Sequence, residues 1–126
     1  MEAEGHYLEV LEIGASVVAS YNLGVLAQVS GDRAEASARY RQALAIDPEY
    51  SPALYNLGVI AIESERYEEA VRLYQRFVGL SPDGAGGHWN LAEALEALGR
   101  TADADAERAI AIALDPAFAG NASGVP

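Results

Sequence analysis

Residues 51–84 read SPALYNLGVIAIESERYEEAVRLYQRFVGLSPDG, and this stretch decides the fold. Leu54, Leu57, Ile60 and Ala61 recur at helical spacing, and Ala70, Leu73, Tyr74 and Phe77 do so again, so the stretch holds two amphipathic helices. Ser51-Pro52 supplies an N-cap and an N1 proline, and Ser81-Pro82 ends the second helix because proline disfavours helical geometry in the residue before it. The same pattern lies on either side. Pro48, Pro82 and Pro116 stand 34 residues apart, and in step with them come Leu23, Leu57 and Leu91, then Gly24, Gly58 and Ala92. Ala36, Ala70 and Ala104 follow, then Tyr40, Tyr74 and Arg108. A period of this length means stacked units that bury their apolar faces on one another.

Three units fit without a gap, at 17–50, 51–84 and 85–118. Gly31-Asp32 and Gly99-Arg100 mark turns between paired helices, and Asp32 with Glu35 forms a capping box. Glycine within a helix costs about 1 kcal/mol relative to alanine, so Gly24 and Gly58 are expected where space is needed. Ala36 and Ala70 are the expected facing surface, with Leu23 and Leu57 filling the side of the contact. Ala3, Tyr7, Val10, Leu11 and Ile13 mimic a second helix, which predicts a half-repeat over 2–14, broken at Gly14-Ala15-Ser16 or running straight on. Arg108 and Asp105 place polar groups where a following unit would need apolar ones, so the third unit reads as terminal, leaving Ile112 and Leu114 partly exposed. A disordered tail is expected over 119–126.

These residues resemble the tetratricopeptide repeat family: Leu23, Gly24, Gly31, Ala36, Tyr40, Ala43 and Pro48 in the first unit, with counterparts in the other two. The resemblance implies an all-α fold, a right-handed α-solenoid of three helix–turn–helix repeats plus the N-terminal half-repeat helix. It also implies that first-helix residues line a peptide groove. Here those are an aromatic row of Tyr21, Tyr55 and Trp89, an amide row of Asn22, Asn56 and Asn90, and a third row of Val25, Val59 and Glu93, with Glu63 and Glu96 further along. Amides at one per helix pair suit the main chain of an extended peptide, since each donates and accepts. The family consensus also favours an aromatic followed by asparagine here, so a scaffold role stands beside the binding role. The family's clamp for acidic chaperone tails uses lysines, an arginine and asparagines; its positions here hold Tyr21, Val25, Asn56, Gly86 and Asn90, and only Asn56 matches.

Composition narrows the function. The chain has 126 residues, a net charge of −11 and eight basic residues, all arginine. Phosphate neutralisation drives nucleic-acid binding, so neither DNA, RNA nor an anionic membrane is an expected partner. The absence of lysine removes Schiff-base and P-loop chemistry, and the absence of cysteine removes thiolate and disulfide chemistry. Gly84, Gly86 and Gly87 read as a turn rather than a phosphate cradle, and His6 and His88 have no metal-ligand spacing. No cofactor, metal or catalytic residue is expected. The reading is a cytoplasmic adaptor that binds a neutral-to-basic protein segment; the alternatives are self-association through open array ends, or a piece of a larger protein.

Overall fold

A computed structural model describes the backbone of residues 2–123 and the side chains of 12–120. Seven helices make up the described residues: α1 Glu2–Val29, α2 Arg33–Ile46, α3 Ser51–Glu63, α4 Tyr67–Leu80, α5 Ala85–Ala97, α6 Thr101–Leu114 and α7 Phe118–Ser123. The fold is an all-α solenoid of helix–turn–helix repeats. It divides into two compact units, Met1–Leu57 and Gly58–Pro126.

Each turn between paired helices is closed the same way. Asp32 N donates to Ala27 O at 2.9 Å, Arg66 N to Ala61 O at 2.8 Å and Arg100 N to Leu95 O at 2.9 Å. Such a six-to-one bond satisfies an orphan carbonyl and requires a left-handed residue just before the donor. Gly31 and Gly99 fill that place at φ 85° and 81°, while Glu65 takes it at 60° and carries the strain glycine avoids. Beyond the first turn, Glu35 N donates to the Asp32 carboxylate at 3.1 Å, the expected cap.

The glycines do make room, but for a different neighbour than the sequence suggests. A Cβ on Gly24 would lie 2.6 Å from Tyr40 Cε1, and one on Gly58 would lie 2.5 Å from Tyr74 Cε2. The two tyrosine rings rest on the glycine backbones and are fully buried. Ala36 and Ala70 are fully buried as well, but they are not what the glycines accommodate. The third repeat changes both members together, with Ala92 for glycine and Arg108 for tyrosine. Without a ring above it, the position tolerates a methyl group.

The N-terminal expectation changes in two respects. Helix α1 continues through Gly14-Ala15-Ser16, the second of the two courses open from the sequence; one glycine costs about 1 kcal/mol and no proline stops the helix. Ile13, expected to cover a face, is exposed, and the side chains of Ala3, Tyr7, Val10 and Leu11 lie outside the described residues. Leu23 is the second correction. It is 44% exposed, against 4% for Leu57 and 2% for Leu91 at the same repeat position. At the other end, α7 begins inside the stretch expected to be disordered, nucleated where Phe118 stacks on Trp89; residues 124–126 lie outside the described residues. Leu114 is exposed and Ile112 half-buried, as expected of a terminal helix.

Gly58→Ala should destabilise the protein by about 1–3 kcal/mol, since overpacking against the immobile Tyr74 ring outweighs the propensity gain of about 1 kcal/mol. Ala92→Gly, with no ring to relieve, should cost only the propensity difference. Urea denaturation of both variants checks this; a Gly58→Ala protein more stable than the parent would contradict the packing.

Candidate functional site

In the first unit the predicted residues fall into an aromatic–amide cluster. Asn56 Nδ2 donates to Tyr21 Oη at 3.2 Å and to Tyr40 Oη at 3.1 Å, and the Tyr40 hydroxyl donates to Gln28 Oε1 at 2.5 Å. The Tyr21 ring lies 5.7 Å from that of Tyr40 and 5.5 Å, edge-on, from that of Tyr50. Tyr21, Val25, Tyr55 and Asn56 are half-buried, whereas Asn22 is exposed and takes no part in the cluster. Burial pushes the Tyr40 phenol above its ordinary range; the bond from Asn56 favours the phenolate and partly offsets this, and the neighbouring Tyr21 adds a smaller upward push.

The second unit repeats the central bond and then departs from it. Asn90 Nδ2 donates to Tyr74 Oη at 3.2 Å, the counterpart of Asn56 and Tyr40, again 16 residues apart. Trp89 is stacked on Phe118 at 5.0 Å with 25° between the planes, and the Arg108 guanidinium stands 5.9 Å from the indole centre, at the limit of a cation–π contact. Arg108 also pairs with Glu96 and with Asp105, so Glu96 is an ion-pair partner inside the unit rather than an unneutralised acid. Val59 is half-buried, and Glu63 and Glu93 are exposed.

Sequence reasoning passed over three participants. The Tyr40 and Tyr74 hydroxyls engage the amide donors, and the 34-residue period names both residues without showing that their tips reach the asparagines. Phe118 occupies the register of Tyr50, and each packs on the aromatic residue 29 positions earlier, a spacing that identifies it in retrospect. His88 is the third. It is 7% exposed, with Nδ1 2.6 Å from Glu107 Oε2 and Nε2 2.8 Å from Pro82 O. Both residues stand where the second repeat has leucines, Leu54 and Leu73, so a polar pair replaces an apolar one between α5 and α6.

The second unit also holds an open cleft of about 270 Å³ between Gln75 and Val78 of α4, Leu91 and Leu95 of α5, and Asp103 and Glu107 of α6. None of the predicted residues lines it. Among the described residues no three His, Cys, Asp or Glu side chains converge as metal ligands would, and no helix is long and apolar enough to cross a membrane.

The tetratricopeptide repeat profile matches residues 21–85 and again 61–121. The chain belongs to that family. No curated protein matches its sequence. Among solved structures, it is similar to a Thermobaculum terrenum O-GlcNAc transferase mutant at 32% identity and a TM-score of 0.76, over 82% of this chain and 20% of that one. It is similar to MamA from Desulfovibrio magneticus RS-1 at 22% identity and 0.74, over 77% of this chain and 55% of that one. The second tetratricopeptide domain of Spaghetti (RPAP3), bound to the HSP90 peptide SRMEEVD, aligns at 18% identity and 0.82, over 90% of this chain and 99% of that one. The last two likenesses are of fold alone. This tetratricopeptide protein thus spans a fifth of the transferase structure and about half of MamA.

Two outcomes follow from these bonds. A group whose pKa is raised by folding contributes stability below its unfolded value and loses it as pH rises, so Tyr40 should make the protein less stable above about pH 10. Tyr40→Phe, although less stable at neutral pH, should show a flatter decline in thermal melts taken between about pH 8 and about pH 11. His88→Leu should cost about 1–3 kcal/mol by leaving the Glu107 carboxylate without its bond. His88→Leu with Glu107→Leu should recover most of that loss, as a urea double-mutant cycle would read; simple additivity of the two losses would contradict the pairing.

Proposed function

We propose that this tetratricopeptide protein is a non-catalytic interaction module, acting in the cytoplasm, that holds a neutral-to-basic peptide segment of a partner protein along its first-helix residues. The observation that carries the reading is the pair of exposed carboxylates, Glu63 and Glu93, on first helices that also present half-buried apolar and aromatic groups. In the first unit the contact residues are Tyr21, Val25, Tyr55 and Asn56, with Asn22 at the margin; in the second they are Val59, Glu63, Trp89, Asn90 and Glu93.

The amide row has a narrower role than its spacing suggests. Both Nδ2 hydrogens of Asn56 are committed to tyrosine hydroxyls, so its offer to a peptide is the Oδ1 acceptor, directed at a main-chain N–H. Apolar contact with Tyr55, Val59 and Trp89 supplies most of the affinity, as buried aromatic anchors usually do. Charge supplies the selection. The peptide in the Spaghetti structure carries two glutamates and an aspartate, and a chain of net charge −11 with Glu63 and Glu93 on its first helices repels such a segment.

The test is fluorescence anisotropy with matched peptides of basic, neutral and acidic composition, SRMEEVD serving as the acidic member. Basic peptides should bind at least tenfold more tightly than SRMEEVD, and Glu63→Arg with Glu93→Arg should invert that order without lowering the melting temperature. Equal affinity for all three, or an order unchanged by the double charge reversal, would remove the acidic first-helix residues from recognition.

A further inference from the structure

From Ile13 to Gly31 the chain carries no charged residue, although 27 charged residues stand elsewhere in it. This run forms the second half of α1, whose inner face packs Val17, Ser20 and Gly24 toward α2. Its outer face is a strip about 21 Å long of Ala15, Val18, Ala19, Asn22, Leu26 and Val29, all exposed, with Leu26 at 64% and Val29 at 83%. The repeat shows what is missing there. In the second unit α5 packs on α4 and α6, with Gly87 against the Phe77 ring, and its residues Gly87, Leu91 and Ala94 are buried. The same positions of α1 are Ala19, Leu23 and Leu26, and all three are open.

The geometry points to a second copy of this chain as the occupant, paired strip to strip across a two-fold axis at Asn22. Charge excludes the other end of the molecule. Where α4 has the buried Val71 and Tyr74, α6 has Asp105 and Arg108, and covering that ion pair with an uncharged strip would strand charges out of water. Tyr40 and Tyr74 on α2 and α4 are already fully buried. Among the described faces, the only one as free of charge as the strip is the strip itself, and an isologous pair brings it to its own copy.

The side-chain order fits this pairing. With two antiparallel helices crossing at Asn22, Ala15 faces the partner's Val29 and Val18 faces the partner's Leu26, small against large at each end. Asn22 meets the partner's Asn22, and two amides can exchange hydrogen bonds there. One polar residue in an apolar helix seam fixes register at some cost in stability, which is the role Asn22 takes. This inference stands apart from the peptide reading, since of the residues named there the strip includes only the marginal Asn22.

The absence of cysteine makes the test direct. Sedimentation velocity on the full chain should give twice the monomer mass at high concentration, and Leu26→Glu should weaken the dimer at least tenfold with an unchanged melting temperature. Asn22→Cys should form a disulfide-linked dimer under mild oxidation, and Ala113→Cys on α6 should not. A monomer at every concentration, an unchanged mass for Leu26→Glu, or equal cross-linking of the two cysteine variants would overturn the proposal. So would a monomer that co-sediments with phosphatidylcholine vesicles through Leu26, which would assign the strip to lipid.

Discussion

A phenol ring laid on a glycine backbone is the contact on which the rest of the architecture depends. Tyr40 sits on Gly24 and Tyr74 on Gly58, each ring closer than any side-chain carbon would allow. The ring is buried, so its hydroxyl must be satisfied, and an asparagine 16 residues further on donates to it in both cases. One packing choice thus ties a first helix to its own second helix, and that second helix to the first helix of the next repeat. Glycine's cost in helix propensity, about 1 kcal/mol, is offset by burying an aromatic side chain worth roughly 1.5–3 kcal/mol or more.

The third repeat shows what happens when that contact is relinquished. Arg108 cannot be buried as tyrosine is, so it reaches Glu96, Asp105 and the Trp89 face, while Ala92 fills the space the ring would have needed. The chain therefore meets solvent differently at its two ends. α6 presents an ion pair, whereas α1 presents an uncharged strip. A charged face and an apolar face have opposite costs when covered, and this asymmetry decides which surface can accept a second chain.

Much of the fold was legible in the residues. The 34-residue period, the helix pairs, the turns at Gly31 and Gly99 and the polar character of Arg108 all rest on local chemistry. The candidate site was legible only as positions. Asn22, Asn56 and Asn90 look equivalent along the chain, yet Asn56 and Asn90 each reach a tyrosine hydroxyl while Asn22 lies on an open face. Leu23 misled for a related reason. A leucine in the correct register is buried only where another helix covers it, and register alone does not say whether one does. His88 and Glu107 read as an isolated histidine and a surface acid, because the 19 residues between them hide that they meet across two helices.

What the sequence determined by itself is the repeating unit: which residues are helical, where each helix ends, and which face of each pair is apolar. These follow from propensity, periodicity and turn chemistry, which act over a few neighbouring residues. Only the tertiary structure decided which polar groups are committed and which remain available. It set Asn56 against two tyrosines, His88 against Glu107, Phe118 against Trp89, and left the outer face of α1 bare. Hydrogen bonds and ring contacts between residues 16 to 35 positions apart depend on how helices are placed in space, and no local pattern encodes that placement.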